Sequence, residues 1–188
     1  AFDSELTGDE SIQKRPMKRI MTPLQEMGAD IRSIRENGCA PLAIHGQKLH
    51  GIRYSSPVAS AQVTSSILFA GLYAEGPTTV IEPALSRDHS ERMLRALGAN
   101  VSTRVLPDGR AEITLQPGAK LTALPETLEV PGDISSAAYF ISAALLVPGS
   151  DVLIRNVGIN ETRAGILDAY AAMGADITLE NRRLAGFE

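Results

Sequence analysis

The sequence predicts an α/β protein assembled from repeated helix and strand units, and three observations carry that expectation. First, "LQEMGADI" (Leu24 to Ile31), "LRALGANV" (Leu94 to Val101) and "AAMGADI" (Ala171 to Ile177) share one pattern, a helix end that runs through a glycine into a strand. Second, "ASAQVTSSILFAGLYAEGPTTVIEP" (Ala59 to Pro83) lines up with "GDISSAAYFISAALLVPGSDVLIRN" (Gly132 to Asn156); each reads as a small-residue helix, a glycine turn and a β-branched strand. Third, Pro107-Asp108-Gly109 inside "VSTRVLPDGRAEITL" marks a hairpin turn between two strands. The pattern glycines 28, 98 and 174 are spaced 70 and 76 residues apart, and the turn glycines 76 and 149 are 73 apart, so both signals repeat with one period.

Taken in chain order, "SELTG" reads as an opening strand. Pro16 reads as the first position of a helix, because its missing N–H would be unpaired there anyway. Arg15 then falls at the N-cap or beside it. Ile20, Leu24 and Met27 give that helix its apolar face, and Gly28 ends it in a left-handed conformation that costs little without a β-carbon. "RENGCAPLAIHG" reads as a turn region. The helix entered at Ser60 packs through Val63, Ile67, Leu68 and Leu72, and a strand follows Gly76. "SRDHSE" (Ser86 to Glu91) lies between that strand and a helix with apolar positions Met93, Leu94 and Leu97. "TALPETLEVPGD" (Thr122 to Asp133) is proline-rich and lacks helical periodicity, which suits a linker between domains. Beyond it come a small-residue helix, a strand after Gly149, a helix with Ile166, Tyr170 and Met173, and a further strand and turn in "ITLENRRLAGFE". In this register the chain opens in mid-unit and its last unit is unfinished, so a piece of a longer repetitive protein is expected.

Composition narrows the class of function. The 188 residues are 44% hydrophobic and 21% charged, enough to bury a core, and the net charge of −4 offers no basic footprint for nucleic acid. The single cysteine, Cys39, cannot form an internal disulfide, and three scattered histidines give no zinc spacing, so no metal is expected. No apolar run approaches the roughly 20 residues of a membrane span, and no signal pattern opens the chain. A cytoplasmic protein without nucleic-acid or membrane partners is expected.

Polar residues gather at three equivalent junctions: Arg15; Ser60, Ala61 and Gln62; and Ser86 to Glu91. Each also has a plain structural explanation. Ser60 can be an N-cap whose hydroxyl closes the first turn, Asp88 and Glu91 have capping-box spacing, and Asp133 suits an N-cap. His89 has no serine or cysteine nucleophile beside it, and no pair of carboxylates stands out for acid/base work. Recurrence is what favours function. Stacked repeats bring such junctions to one end of a domain, where α/β proteins hold anions.

The segments "LTGDESIQKRPM", "SPVASAQVTSSILFAGL", "SRDHSERMLRALGA" and "VPGDISSAAYF" together resemble the 5-enolpyruvylshikimate-3-phosphate synthase (3-phosphoshikimate 1-carboxyvinyltransferase) family, in the family's order and spacing over essentially the whole chain. The resemblance implies the enolpyruvyl transferase fold, a two-domain inside-out α/β barrel of βαβαββ units, incomplete here. Residues 1–127 would belong to the first domain and 128–188 would begin the second. It also implies transfer of the enolpyruvyl group of phosphoenolpyruvate to the 5-hydroxyl of shikimate 3-phosphate with release of phosphate, in aromatic amino acid biosynthesis. Arg15 matches the family's contact to phosphoenolpyruvate. Ser60, Ala61 and Gln62 match positions that hold shikimate 3-phosphate, Gln62 also lying near phosphoenolpyruvate. Ser86 and Arg87 match positions on the shikimate phosphate.

Alanine at 61 with "SRDH" looks like the bacterial subgroup often tolerant of glyphosate. No cofactor is expected, and the full polypeptide is expected to be a monomer. The family's N-terminal lysine segment, its "GNxGT" loop and its second-domain acid/base residues have no counterpart here, so no catalytic residue is expected in this chain and the chain alone is expected to be inactive. The alternatives are an enzyme like UDP-N-acetylglucosamine enolpyruvyl transferase, which should show a catalytic cysteine loop, and a non-catalytic repeat-built binding domain.

Overall fold

A computed structural model describes residues 2–124 and 127–184. Pro125 and Glu126 of the linker segment, and residues 185–188 of the closing strand and turn, lie outside the described residues. The chain divides into two compact units, Ala1–Thr122 and Ala123–Glu188, the division falling at the start of the proline-rich segment.

In the first unit, β1 (Asp3–Leu6) is followed by a short helix α1 (Glu10–Gln13) that the sequence did not announce. Asp9 caps it, Oδ1 accepting from Ile12 N at 2.9 Å. The main helix α2 (Lys18–Glu26) begins at Lys18 with Met17 as N-cap, so Arg15 and Pro16 lie in the connecting loop, not at the helix entry. The cause is a contact remote in sequence: Met17 N–H donates to Gly38 O at 2.7 Å, which fixes where the chain turns into the helix. The strands β2 (Asp30–Ser33) and β3 (Leu42–His45) complete a three-stranded antiparallel sheet in the order β1-β3-β2.

One full βαβαββ unit follows: β4 (Arg53–Ser55), α3 (Ala61–Gly71), β5 (Thr78–Glu82), α4 (His89–Ala96), β6 (Asn100–Val105) and β7 (Ala111–Gln116). The sheet order is β4-β5-β7-β6. β4 and β5 are parallel, with α3 as the crossover, and β7 returns between β5 and β6 in antiparallel register through the expected hairpin. Gly109 sits in that turn at φ 84°, and the three pattern glycines 28, 98 and 174 end their helices at φ 93°, 92° and 81°.

Alternation along β7 separates the faces of this sheet. Ala111, Ile113 and Leu115 are wholly buried against Leu68 of α3 and Leu94 of α4. On the opposite face Thr114 meets Thr79 of β5 (Oγ1 to Oγ1 3.0 Å), and Glu112 lies between two arginines. Met27, Val63, Ile67 and Val80 form a second cluster joining α2 and α3 to β5.

In the second unit α5 (Ile134–Leu146) is capped by Asp133, as the sequence predicts, with Oδ1 accepting from Ser135 N at 3.0 Å. The next helix is α6 (Gly165–Ala172), whose Tyr170 hydroxyl donates to Ala138 O at 3.1 Å and lies 2.6 Å from Ser142 Oγ. The strands expected after Gly149 and after Gly174 do not form among the described residues; the 151–157 run makes only an isolated bridge, Val157 to Gly132. A β-branched segment becomes a strand only with a neighbour to complete its hydrogen bonds, and the described residues of this unit supply only that one bridge.

Candidate functional site

Because β4 and β5 run parallel, both end on the same side of the sheet. Two loops leave from there, 56–60 into α3 and 83–88 into α4. Ligands of α/β proteins gather at such carboxyl ends, where helices begin and present unpaired N–H groups. The first bond of α3 is Thr64 N–H to Ser60 O at 3.0 Å, so Ala61, Gln62 and Val63 have no intrahelical acceptor for their N–H groups.

One side chain joins the two loops. Glu82, the last residue of β5, is completely buried. Its Oε1 accepts from Thr64 Oγ1 at 2.5 Å, Ser86 Oγ at 2.9 Å and Ser60 N at 3.2 Å, and its Oε2 accepts from Ser86 N at 3.0 Å. A buried carboxylate is tolerable only with such a set of donors. The candidate positions Ser60 and Ser86 are therefore built around one acceptor. Ser60 is the N-cap of α3, but its hydroxyl makes no capping bond; its backbone N–H goes to Glu82 instead. A second tie, Ser65 Oγ to Ser90 Oγ at 2.7 Å, binds the starts of α3 and α4.

The arginines sort by what they already hold. Arg53 and Arg104 are committed to Glu112, and Arg92 Nε donates to Asp88 Oδ2 at 2.8 Å. That pairing replaces the capping box expected of Asp88 and Glu91, since Asp88 makes no side-chain capping bond to α4. Glu91 is buried instead. Burial pushes its carboxyl above the ordinary range, and the charges of Asp88 and Glu82 add to the shift. Arg87 and Arg15 are exposed and make no ion pair among the described residues. Lys14 reaches Glu10 one turn back at 4.0 Å and lines, with Arg35, Asn37 and Cys39, an open cleft of about 410 Å³.

The structure thus joins Ser60 and Ser86 through Glu82, with Ala61 and Gln62 next to Ser60 in the chain and Arg87 next to Ser86. It does not join Arg15 to them, for no hydrogen bond or ion pair among the described residues links the two. What reaches Gln62 from α2 is Arg19, Nη2 to Oε1 2.7 Å. Sequence reading missed both Arg19 and Glu82. For Glu82 a signal existed, a carboxylate closing the β-branched run "TTVIE" of a strand whose five positions are all buried. No helix among the described residues is long and apolar enough to cross a membrane, and no group of three or more His, Cys, Asp or Glu among them is placed to hold a metal.

The sequence matches the family described as EPSP synthase (3-phosphoshikimate 1-carboxyvinyltransferase) over residues 1–185. The 3-phosphoshikimate 1-carboxyvinyltransferase of Synechococcus elongatus is 57% identical over 97% of this chain and 40% of its own length. That of Hydrogenovibrio crunogenus is 53% identical over 100% of this chain and 42% of its own length. In structure the chain is similar to EPSP synthase from Acinetobacter baumannii, with a TM-score of 0.83 and 51% identity over 99% of this chain and 41% of that one. The chain spans about 40% of the length of the curated relatives it matches. The α/β fold read from the repeats is the one these relatives have, and the chain belongs to the EPSP synthase (3-phosphoshikimate 1-carboxyvinyltransferase) family.

Proposed function

We propose that this chain supplies part of the substrate cradle of an enzyme that moves the enolpyruvyl group of phosphoenolpyruvate to the 5-hydroxyl of shikimate 3-phosphate and releases phosphate. The observation that carries the reading is the convergence of Ser60 and Ser86 on Glu82 at the start of α3, with Arg87 next to Ser86 in the chain, exposed and in no ion pair among the described residues. Arg87 and Ser86 take the phosphate of shikimate 3-phosphate, a charge-assisted contact that fixes the ring. Ser60, Ala61 and Gln62 hold the same substrate from the entry of α3, where the helix field favours an anion. Gln62 also faces phosphoenolpyruvate, which Arg15 grips by its carboxylate or phosphate.

The reaction needs an acid to protonate the methylene carbon and a base to take the hydroxyl proton. Neither role is assigned to a residue of this chain, which binds and orients. Residues 1–127 form part of its first domain and 128–188 begin its second, and the full polypeptide works as a cytoplasmic monomer without a cofactor.

The test is Arg87→Ala in the full polypeptide. Loss of a charged hydrogen bond worth about 1.5 to 3 kcal/mol raises KM for shikimate 3-phosphate by roughly tenfold or more and leaves KM for phosphoenolpyruvate nearly unchanged. Equal effects on both substrates contradict the assignment.

A further inference from the structure

A serine hydroxyl has one proton to give. In this structure the proton of Ser86 is given to Glu82 Oε1 at 2.9 Å, while the Ser86 N–H is held separately by Oε2 at 3.0 Å. A phosphate dianion offers only acceptor oxygens, so Ser86 can serve it only if that hydroxyl turns away from Glu82. The backbone contact survives the turn, and so do the bonds from Ser60 N and Thr64 Oγ1. Glu82 itself is completely buried and faces no solvent.

We propose that Glu82 is a positioning residue of the cradle, one that sets the separation of the Ser60 and Ser86 backbones and holds the Ser86 hydroxyl proton until a phosphate monoester claims it. This rests on the reading of Ser86 and Arg87 as the phosphate site. Glu82 does not touch the ligand. It acts through the two serines, so its effect falls on the phosphate-bearing substrate and not on the other one.

Glu82→Gln is the informative change. The amide keeps one acceptor oxygen for Ser60, Thr64 and Ser86 Oγ, but its NH2 group meets the Ser86 N–H donor to donor, and Ser86 loses its backbone anchor. In the full polypeptide we expect KM for shikimate 3-phosphate to rise by about fivefold or more, with kcat and KM for phosphoenolpyruvate within about twofold. Ile113→Val, a core change on β7, is the stability control; it lowers Tm without moving either KM. Combined with Ser86→Ala, the Glu82→Gln effect on KM falls short of additivity, because the two residues act through one contact.

If Glu82→Gln does not fold, Thr64→Val, which removes one of the four donors, gives the same selective rise in smaller size. Arg87→Ala separates the failures. If Arg87→Ala raises KM for shikimate 3-phosphate and the Glu82 and Thr64 variants only lower Tm, as Ile113→Val does, Glu82 is structural and the proposal is overturned. If Arg87→Ala does not raise it either, the cradle reading fails and takes the proposal with it.

Discussion

Arg53 of β4 reaches past β5 to Glu112 of β7, Nη2 to Oε2 2.7 Å, and Arg104 of β6 meets the other oxygen of the same carboxylate, Nε to Oε1 2.7 Å. One side chain thus ties together three strands, β4, β7 and β6, across the intervening β5, on the face away from the helices. The Arg53 hydrogen bond, and after it that of Arg104, hold the Glu112 carboxyl below the ordinary carboxylate range. A folded-state value below the unfolded one means stability that is present above the ordinary glutamate value and lost as pH falls through the lowered one.

Glu112→Gln therefore lowers Tm at neutral pH. The gap to the unaltered protein narrows in acid as pH falls below the ordinary glutamate value of about 4.5 and closes once it has passed the lowered one, where the native carboxylate is itself protonated. Thermal melts across that range check it, and a gap that persists unchanged in acid contradicts the clamp.

Gly51 lies where the chain runs into β4 alongside the start of β5, its N–H donating to Glu75 O at 2.9 Å. A β-carbon there would overlap the Pro77 carbonyl oxygen and stand 2.5 Å from that of Gly76. Both obstacles are backbone, which cannot swing aside. Gly51→Ala is expected to cost about 3 kcal/mol or more, read by chemical denaturation, because overpacking against backbone parts the strands that carry the site.

Arg15 makes a sharper prediction because it stands in a loop, free of helix packing. Arg15→Lys keeps the charge and loses the planar two-donor fork. Phosphoenolpyruvate binding in the full polypeptide should weaken by roughly tenfold, about 1.4 kcal/mol, with little change in Tm. Unchanged affinity with a lowered Tm would show that the residue is structural.

What could be read from the sequence follows from what is local. The glycine-ended helices, the 107–109 hairpin and the Asp133 cap depend on residues a few positions apart, and they stand where the sequence predicts. The start of α2 does not, because the Met17 N–H is bound by Gly38 from a different loop. Pairing of the 151–157 segment is likewise non-local, and helix and strand propensities cannot supply a partner. Ser60, Ser86 and Arg87 stood out because hydroxyls and cations recur at junctions of the repeat. Glu82 did not, since a carboxylate at a strand end looks like a turn residue until Thr64, Ser60 and Ser86 fold onto it.

The most direct test of the cradle is a crystal structure of the full polypeptide with shikimate 3-phosphate bound. The account predicts the phosphate within about 3 Å of the Arg87 guanidinium and of Ser86 Oγ. It also predicts that the Ser86 hydroxyl has turned from Glu82 while Ser86 N stays on Oε2. A phosphate bound away from both the 60–62 and 86–87 segments, with the Ser86 hydroxyl still on Glu82, contradicts it.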